Sequence, residues 1–199
     1  MNLRMETDAN SRELDLIGIF ERNHGREIVD ADGFVYWEFD NPEEVLEQVI
    51  TEGKMFEFVL HGGTNRINGK VIPKTAKDLI REQGRRLAIY ATNNPAKAMF
   101  WALTGGTGDR GRKEIGGKLK IDDDKKISYE NIRFIVERES QIRQFGWVYV
   151  FEYSGWEYTL GEYLSYESKT PVAIVKIDRN DFKYPIEVAP IARENIQVK

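Results

Sequence analysis

Three short stretches of this chain carry residues whose types and spacing could do chemistry. "FEFVLHGGT" runs an apolar segment into His61, Gly62, Gly63 and Thr64. "YATNNPAKAMFWAL" places Tyr90 and Thr92 before a helical pattern and Trp101 eleven positions after Tyr90. "GEYLSYES" offers two carboxylates, Glu162 and Glu167. Each falls at the end of an expected strand, where binding residues gather. Read singly, each has a plainer account: His61 as a turn residue, Tyr90 and Trp101 as core aromatics, Glu162 as solvated surface. Read jointly, three such stretches in this order call for a common account.

Other chemistries are excluded by what the chain lacks. With no cysteine there is no thiol nucleophile, disulfide or thiolate-held zinc. Only one other histidine exists, His24, and there is no HExxH, so no metal site is expected. The segment 106–111 spells GxGxxG, but it follows an expected helix, whereas a dinucleotide loop needs a strand before the glycines and a helix after them. No phosphate-binding GxxxxGK[ST] and no GxSxG nucleophile elbow occurs.

The elements that must position these groups follow from periodicity and turn chemistry. Residues 1–12 read as a polar, flexible N-terminus and 13–199 as a single domain, long enough to bury an ordinary core. "LDLIGIF" and "REIVDADGFVYWEF" suggest two short strands around a turn, with Asp32-Gly33 the strongest turn signal. A helix follows, capped by Asp40 or Asn41, with Pro42 in its first turn, an apolar stripe of Val45, Leu46, Val49 and Ile50, and Gly53 at its end.

"MFEFVLHGG" and "RRLAIYAT" read as strands, separated by an irregular stretch and a short helix over 75–83. "NNPAKAMFWAL" reads as a helix capped by Asn93 or Asn94. The glycine-rich, charged segment 104–126 predicts a mobile loop or an exposed hairpin. "NIRFIVE", "GWVYVFEY", "TPVAIVKI" and an edge strand in "FKYPIEVAP" complete the pattern. Helices early and strands late predict an α+β fold.

A net charge of −4 removes the basic footprint of a general nucleic-acid binder. The polar start and the lack of any long apolar run predict a cytoplasmic protein with no membrane span.

The order His-Gly-x-Thr, then Tyr-Ala-Thr-Asn-Asn with Trp101 eleven positions on, then Glu-Tyr, resembles the ADP-ribosyltransferase superfamily. The branch is the His-Tyr-Glu one, which includes diphtheria-toxin-like enzymes and poly(ADP-ribose) polymerases. The resemblance covers roughly residues 56 to 178 and is similar in order to bacterial and phage proteins carrying "LHG … YAT … EW-x-S". It implies a split β-sheet core with flanking helices, NAD as substrate, and mono-ADP-ribosyl transfer to a macromolecular acceptor, protein or nucleic acid, as a toxin or effector would do.

By that resemblance His61 would hydrogen-bond the adenosine ribose, and Gly62 would offer backbone to the nicotinamide amide where a Cβ would obstruct approach. Thr64 and Thr92 would line the site. Tyr90 and Trp101 would sandwich the nicotinamide ring. Glu162 would bond a ribose hydroxyl and stabilise the developing cation, with Glu167 the alternative carboxylate.

Two departures matter. Trp101 stands where the branch has a second tyrosine, which keeps a stacking face and loses a hydroxyl. Leu160 stands where arginine-modifying relatives carry Gln or Glu, so an acceptor other than arginine is implied. The alternative is a non-catalytic relative of the same fold that binds a nucleotide or a protein.

Overall fold

Unbroken apolar runs, as in Phe58-Val59-Leu60 and Trp147-Val148-Tyr149-Val150, put apolar side chains on both faces of a strand and so require sheets with both faces covered. The computed structural model, which describes residues 16–52, 58–75, 86–105, 113–122, 127–159 and 161–190, is mixed α+β. Among the described residues its α-helices come early: α1 at 16–22, α2 at Pro42–Glu52 and α3 at Pro95–Thr104.

The largest sheet has the order β1-β2-β11-β8-β3. Its strands are β1 (Arg26–Val29), β2 (Val35–Glu38), β3 (Phe58–Gly63), β8 (Phe145–Glu152) and β11 (Ala173–Asp178). A four-stranded sheet, β4-β5-β10-β9, joins β4 (Lys74–Thr75), β5 (Leu87–Ala91), β9 (Glu157–Thr159) and β10 (Glu162–Ser165). A third, β12-β7-β6, holds β6 (Lys113–Ile121), β7 (Ile127–Val136) and β12 (Ile186–Val188). A backbone bridge joins the first two sheets: the N–H and C=O of Leu60 in β3 each bond Thr92, just past β5, at 2.8 Å.

The large sheet separates two cores. On the helix side Leu60, Val148, Val150, Val175 and Ile177 pack under α2 and α3. Val59, Trp147, Tyr149 and Phe151 turn to the other face, against Ile89, Ala91 and Tyr163 of the second sheet. Helix α3 sits flush on β3 and β8 because Gly62 and Gly146 present no side chain. A Cβ on Gly62 would overlap the Ala98 carbonyl and stand 2.7 Å from the Ala102 nitrogen, and one on Gly146 would overlap the Ala102 carbonyl.

The two expected strands of the N-terminal region both come from the second segment. Asp30 organises their turn by accepting from the amides of Asp32 at 2.9 Å and Phe34 at 3.0 Å. "LIGIF", read as strand, is helical instead. Leu16, Ile19 and Phe20 lie one turn apart and are all buried against the large core, so tertiary packing selected the 3.6-residue period over local β propensity.

Helix α2 buries the expected stripe. Strands β6 and β7 pair antiparallel, as the hairpin alternative requires, and β12 is an edge strand. "GEYLS", read only as a lead-in to the following strand, is itself β10. The N-terminus 1–12, Gly53, the 106–111 glycines and the helix expected over 75–83, apart from Thr75 in β4, lie outside the described residues. No helix among the described residues is long and apolar enough to cross a membrane.

Candidate functional site

Helix α3 is where the site begins. Asn94 caps it by accepting from the Lys97 amide at 2.9 Å, and Pro95 fills the first turn. Thr92 holds the approach: its hydroxyl oxygen accepts from the Asn94 amide at 3.1 Å, while its backbone is bonded to Leu60. It is buried, so it shapes this turn and presents nothing to the surface.

Lys97 and Trp101 stand four residues apart on α3, hence on one face. The Lys97 ammonium lies 4.6 Å from the Trp101 ring centroid and 2.8 Å from Glu162 Oε1. Both charged side chains are four-fifths buried, at 18% and 22% exposure, which strengthens their attraction over that of a surface pair. Glu162 opens β10 directly after Gly161, whose φ of +84° makes the reversal from β9.

The register of β10 on β5 pairs Leu164 with Tyr90. Because alternate strand residues share a face, Glu162, Leu164 and Tyr90 lie on the same side of this sheet. The Tyr90 hydroxyl donates to the Arg86 carbonyl at 2.9 Å. Tyr163, on the opposite side, joins Tyr153 and Tyr158, and burial pushes its phenol up to about 12.

His61 faces away from α3, toward Tyr149, with ring centroids 6.0 Å apart. Its Nδ1 is 2.6 Å from the Tyr90 carbonyl oxygen. A carbonyl only accepts, so Nδ1 carries the hydrogen and neutral His61 keeps Nε2 as an acceptor. Burial holds its pKa below the ordinary histidine value, and the Lys74 charge acts in the same direction, so the neutral form dominates.

Gly62 lacks a Cβ for a reason other than the one expected. The space its side chain would take is filled by α3, so the constraint is helix packing. Its backbone remains suited to a ligand. Leu60 directs both polar groups away from β8 toward Thr92, and Gly62, two residues on, directs its own to the same edge beyond that bridge. Thr64 follows, half-buried, in a bend.

The structure thus joins His61 directly to Tyr90, sets Tyr90 and Glu162 on one sheet face, and ties Glu162 to Trp101 through Lys97. Because the ammonium already lies over Trp101, a planar ring entering there must displace it. Glu167 lies apart, exposed in the turn after β10, where its backbone bonds the Ser165 hydroxyl.

Lys97 is the residue that motif reading missed. Its four-residue spacing from Trp101 was visible, but its carboxylate partner is 65 positions away. Among the described residues no cluster of three or more His, Asp or Glu side chains is arranged to hold a metal ion. The chain matches no protein-family model, no curated protein and no solved structure.

Proposed function

We propose that the chain is an NAD-dependent mono-ADP-ribosyltransferase with an ADP-ribosyltransferase-like split-sheet core, acting on a macromolecular acceptor as a bacterial or phage effector. The observations behind this reading are the bond from His61 to the Tyr90 backbone carbonyl, the shared sheet face of Tyr90 and Glu162, and the tie from Glu162 through Lys97 to Trp101.

Each group has a task the geometry suits. Neutral His61 accepts a ribose hydroxyl at Nε2. The Gly62 edge offers one N–H and one C=O, which complements a carboxamide. The Tyr90 ring and Trp101 bury the flat nicotinamide and fix its orientation. Glu162 places negative charge beside the nicotinamide ribose.

In the reaction the bond between ribose C1′ and the nicotinamide nitrogen breaks, and its electron pair leaves with nicotinamide. C1′ gains positive character that a nearby carboxylate stabilises more in the transition state than in the ground state. A nucleophile of the acceptor then supplies the pair that closes the bond to C1′ and releases its proton.

A second reading has an observation of its own. Lys97 neutralises Glu162 and covers Trp101, an arrangement that also suits a module that binds a nucleotide or a protein without cleaving anything.

The discriminating experiment incubates purified protein with NAD, alone and with bacterial lysate, and measures nicotinamide release and mass increments on acceptors. Release by wild type that Glu162→Gln abolishes supports the transferase. NAD binding without release under every condition supports the module. Neither binding nor release removes both.

A further inference from the structure

Lys97 stands in the first turn of α3, where the positive end of the helix dipole disfavours a cation. That turn supplies no acidic residue, so the ammonium is held from outside its own helix: by Glu162 Oε1 at 2.8 Å and by the face of Trp101, 4.6 Å from the ring centroid. Both charged side chains are four-fifths buried, so the ammonium has given up most of its water to lie there.

The two groups that hold the ammonium are fixed, and the ammonium is not. Glu162 opens β10, which pairs with β5 on one side and β9 on the other, and Trp101 lies on a capped helix. Lys97 reaches them on a flexible methylene stem. A carboxylate beside an aromatic face binds a planar or alkylated cation, through charge and through the ring quadrupole. This subsite already contains a cation, and that cation belongs to the chain. A neutral group that entered would part Lys97 from Glu162 and give neither contact back. A cationic group takes over both contacts, and Lys97, still partly exposed, swings out to water.

We propose that Trp101 and Glu162 form a subsite for a planar cation and that Lys97 is its tethered competitor, an internal ligand that closes the subsite until a cationic group displaces it. Apparent affinity falls by the fraction of molecules in which the ammonium has swung out, so every ligand is weakened alike, while only a cation recovers the lost contacts. On the proposed function, on which this inference rests, the displacing group is the cationic nicotinamide ring of NAD. A purely structural staple would act in the opposite sense, because removing it would loosen Glu162 and weaken binding.

The test uses nicotinamide methylated on its ring nitrogen, a permanent cation with no ribose bond to break, against neutral nicotinamide of nearly the same shape. Both are titrated into the full chain and followed by the NMR signals of the Trp101 indole and the Lys97 ε-methylene. In wild type the cation should bind at least about tenfold more tightly than the neutral ring. As it binds, the Lys97 signals, displaced by the Trp101 ring, should return toward those of a solvated lysine. Lys97→Ala should strengthen binding of both compounds at least about tenfold. Glu162→Gln should erase most of the preference by improving the neutral compound, since the ammonium is then easier to move. Binding unchanged or weakened by Lys97→Ala, equal wild-type affinity for the two compounds, no binding of either, or Lys97 signals unmoved when Trp101 is saturated overturns the proposal. The wild-type titration alone decides the matter should the variants not fold. Nicotinamide release from NAD with Lys97 undisplaced by the cation leaves the transferase standing and removes the tethered competitor. Displacement without release upholds the competitor and supports the binding module.

Discussion

The Lys97 ammonium bonds Glu162 Oε1 at 2.8 Å while resting on the ring of Trp101, so one cation ties the last motif of the chain to the middle one. Glu162 is therefore held in place before any ligand arrives. In the transferase reading, entry of a cationic nicotinamide group exchanges one cation for another over the same aromatic ring and beside the same carboxylate.

Glu162→Gln keeps the shape of the side chain and removes its charge. It is expected to lower nicotinamide release at least about 10²-fold, roughly 2.7 kcal/mol of transition-state stabilisation, with NAD affinity little altered. Glu167→Gln, in an exposed turn, should change release by no more than a few-fold. Initial rates and calorimetric titration with NAD check both. Equal losses at the two positions would show that neither carboxylate acts on the reacting centre.

Lys97→Met leaves Glu162 four-fifths buried without its cation. The expected cost is about 1–3 kcal/mol of stability, between the values for exposed and fully buried pairs. Denaturant unfolding of Lys97→Met, Glu162→Gln and the double variant measures the coupling. Additive losses would mean that the contact contributes nothing.

Gly62→Ala tests the packing of α3. The added methyl meets backbone atoms of Ala98 and Ala102, which cannot swing aside, so a loss of at least about 3 kcal/mol or failure to fold is expected. Thermal unfolding and circular dichroism check it. A fully stable Gly62→Ala chain would show that the helix does not sit on β3 this closely.

His61 gives the fold an acid dependence of definite sign. Its pKa is depressed in the folded state, so the unfolded chain takes up a proton first. The contribution of His61 to stability is present above the ordinary histidine value and is lost as pH falls toward the lowered one. His61→Gln should remove that slope from a plot of unfolding free energy against pH. An unchanged slope would assign it to other groups.

Much of the scaffold was legible because its signals are local. Pro42 with the stripe Val45, Leu46, Val49 and Ile50 specifies α2, Asn94 with Pro95 specifies the start of α3, and Asp32-Gly33 marks the hairpin turn. The motif residues His61, Tyr90 and Glu162 could be singled out by type and placed near strand ends. Each of these readings uses interactions within a few residues, which a one-dimensional pattern records.

What tertiary structure alone decided are relations between distant segments. Residues 16–22 took the helical period because the core beneath them rewarded it. The absence of a side chain at Gly62 answers to a helix some forty residues later. The partner of Glu162 lies on α3, and the hydroxyl that bonds Glu43 of α2 comes from Tyr184, in the segment after β11. Such contacts depend on how sheets and helices stack in space, and burial sets their energies, so neither can be read from residue types in order along the chain.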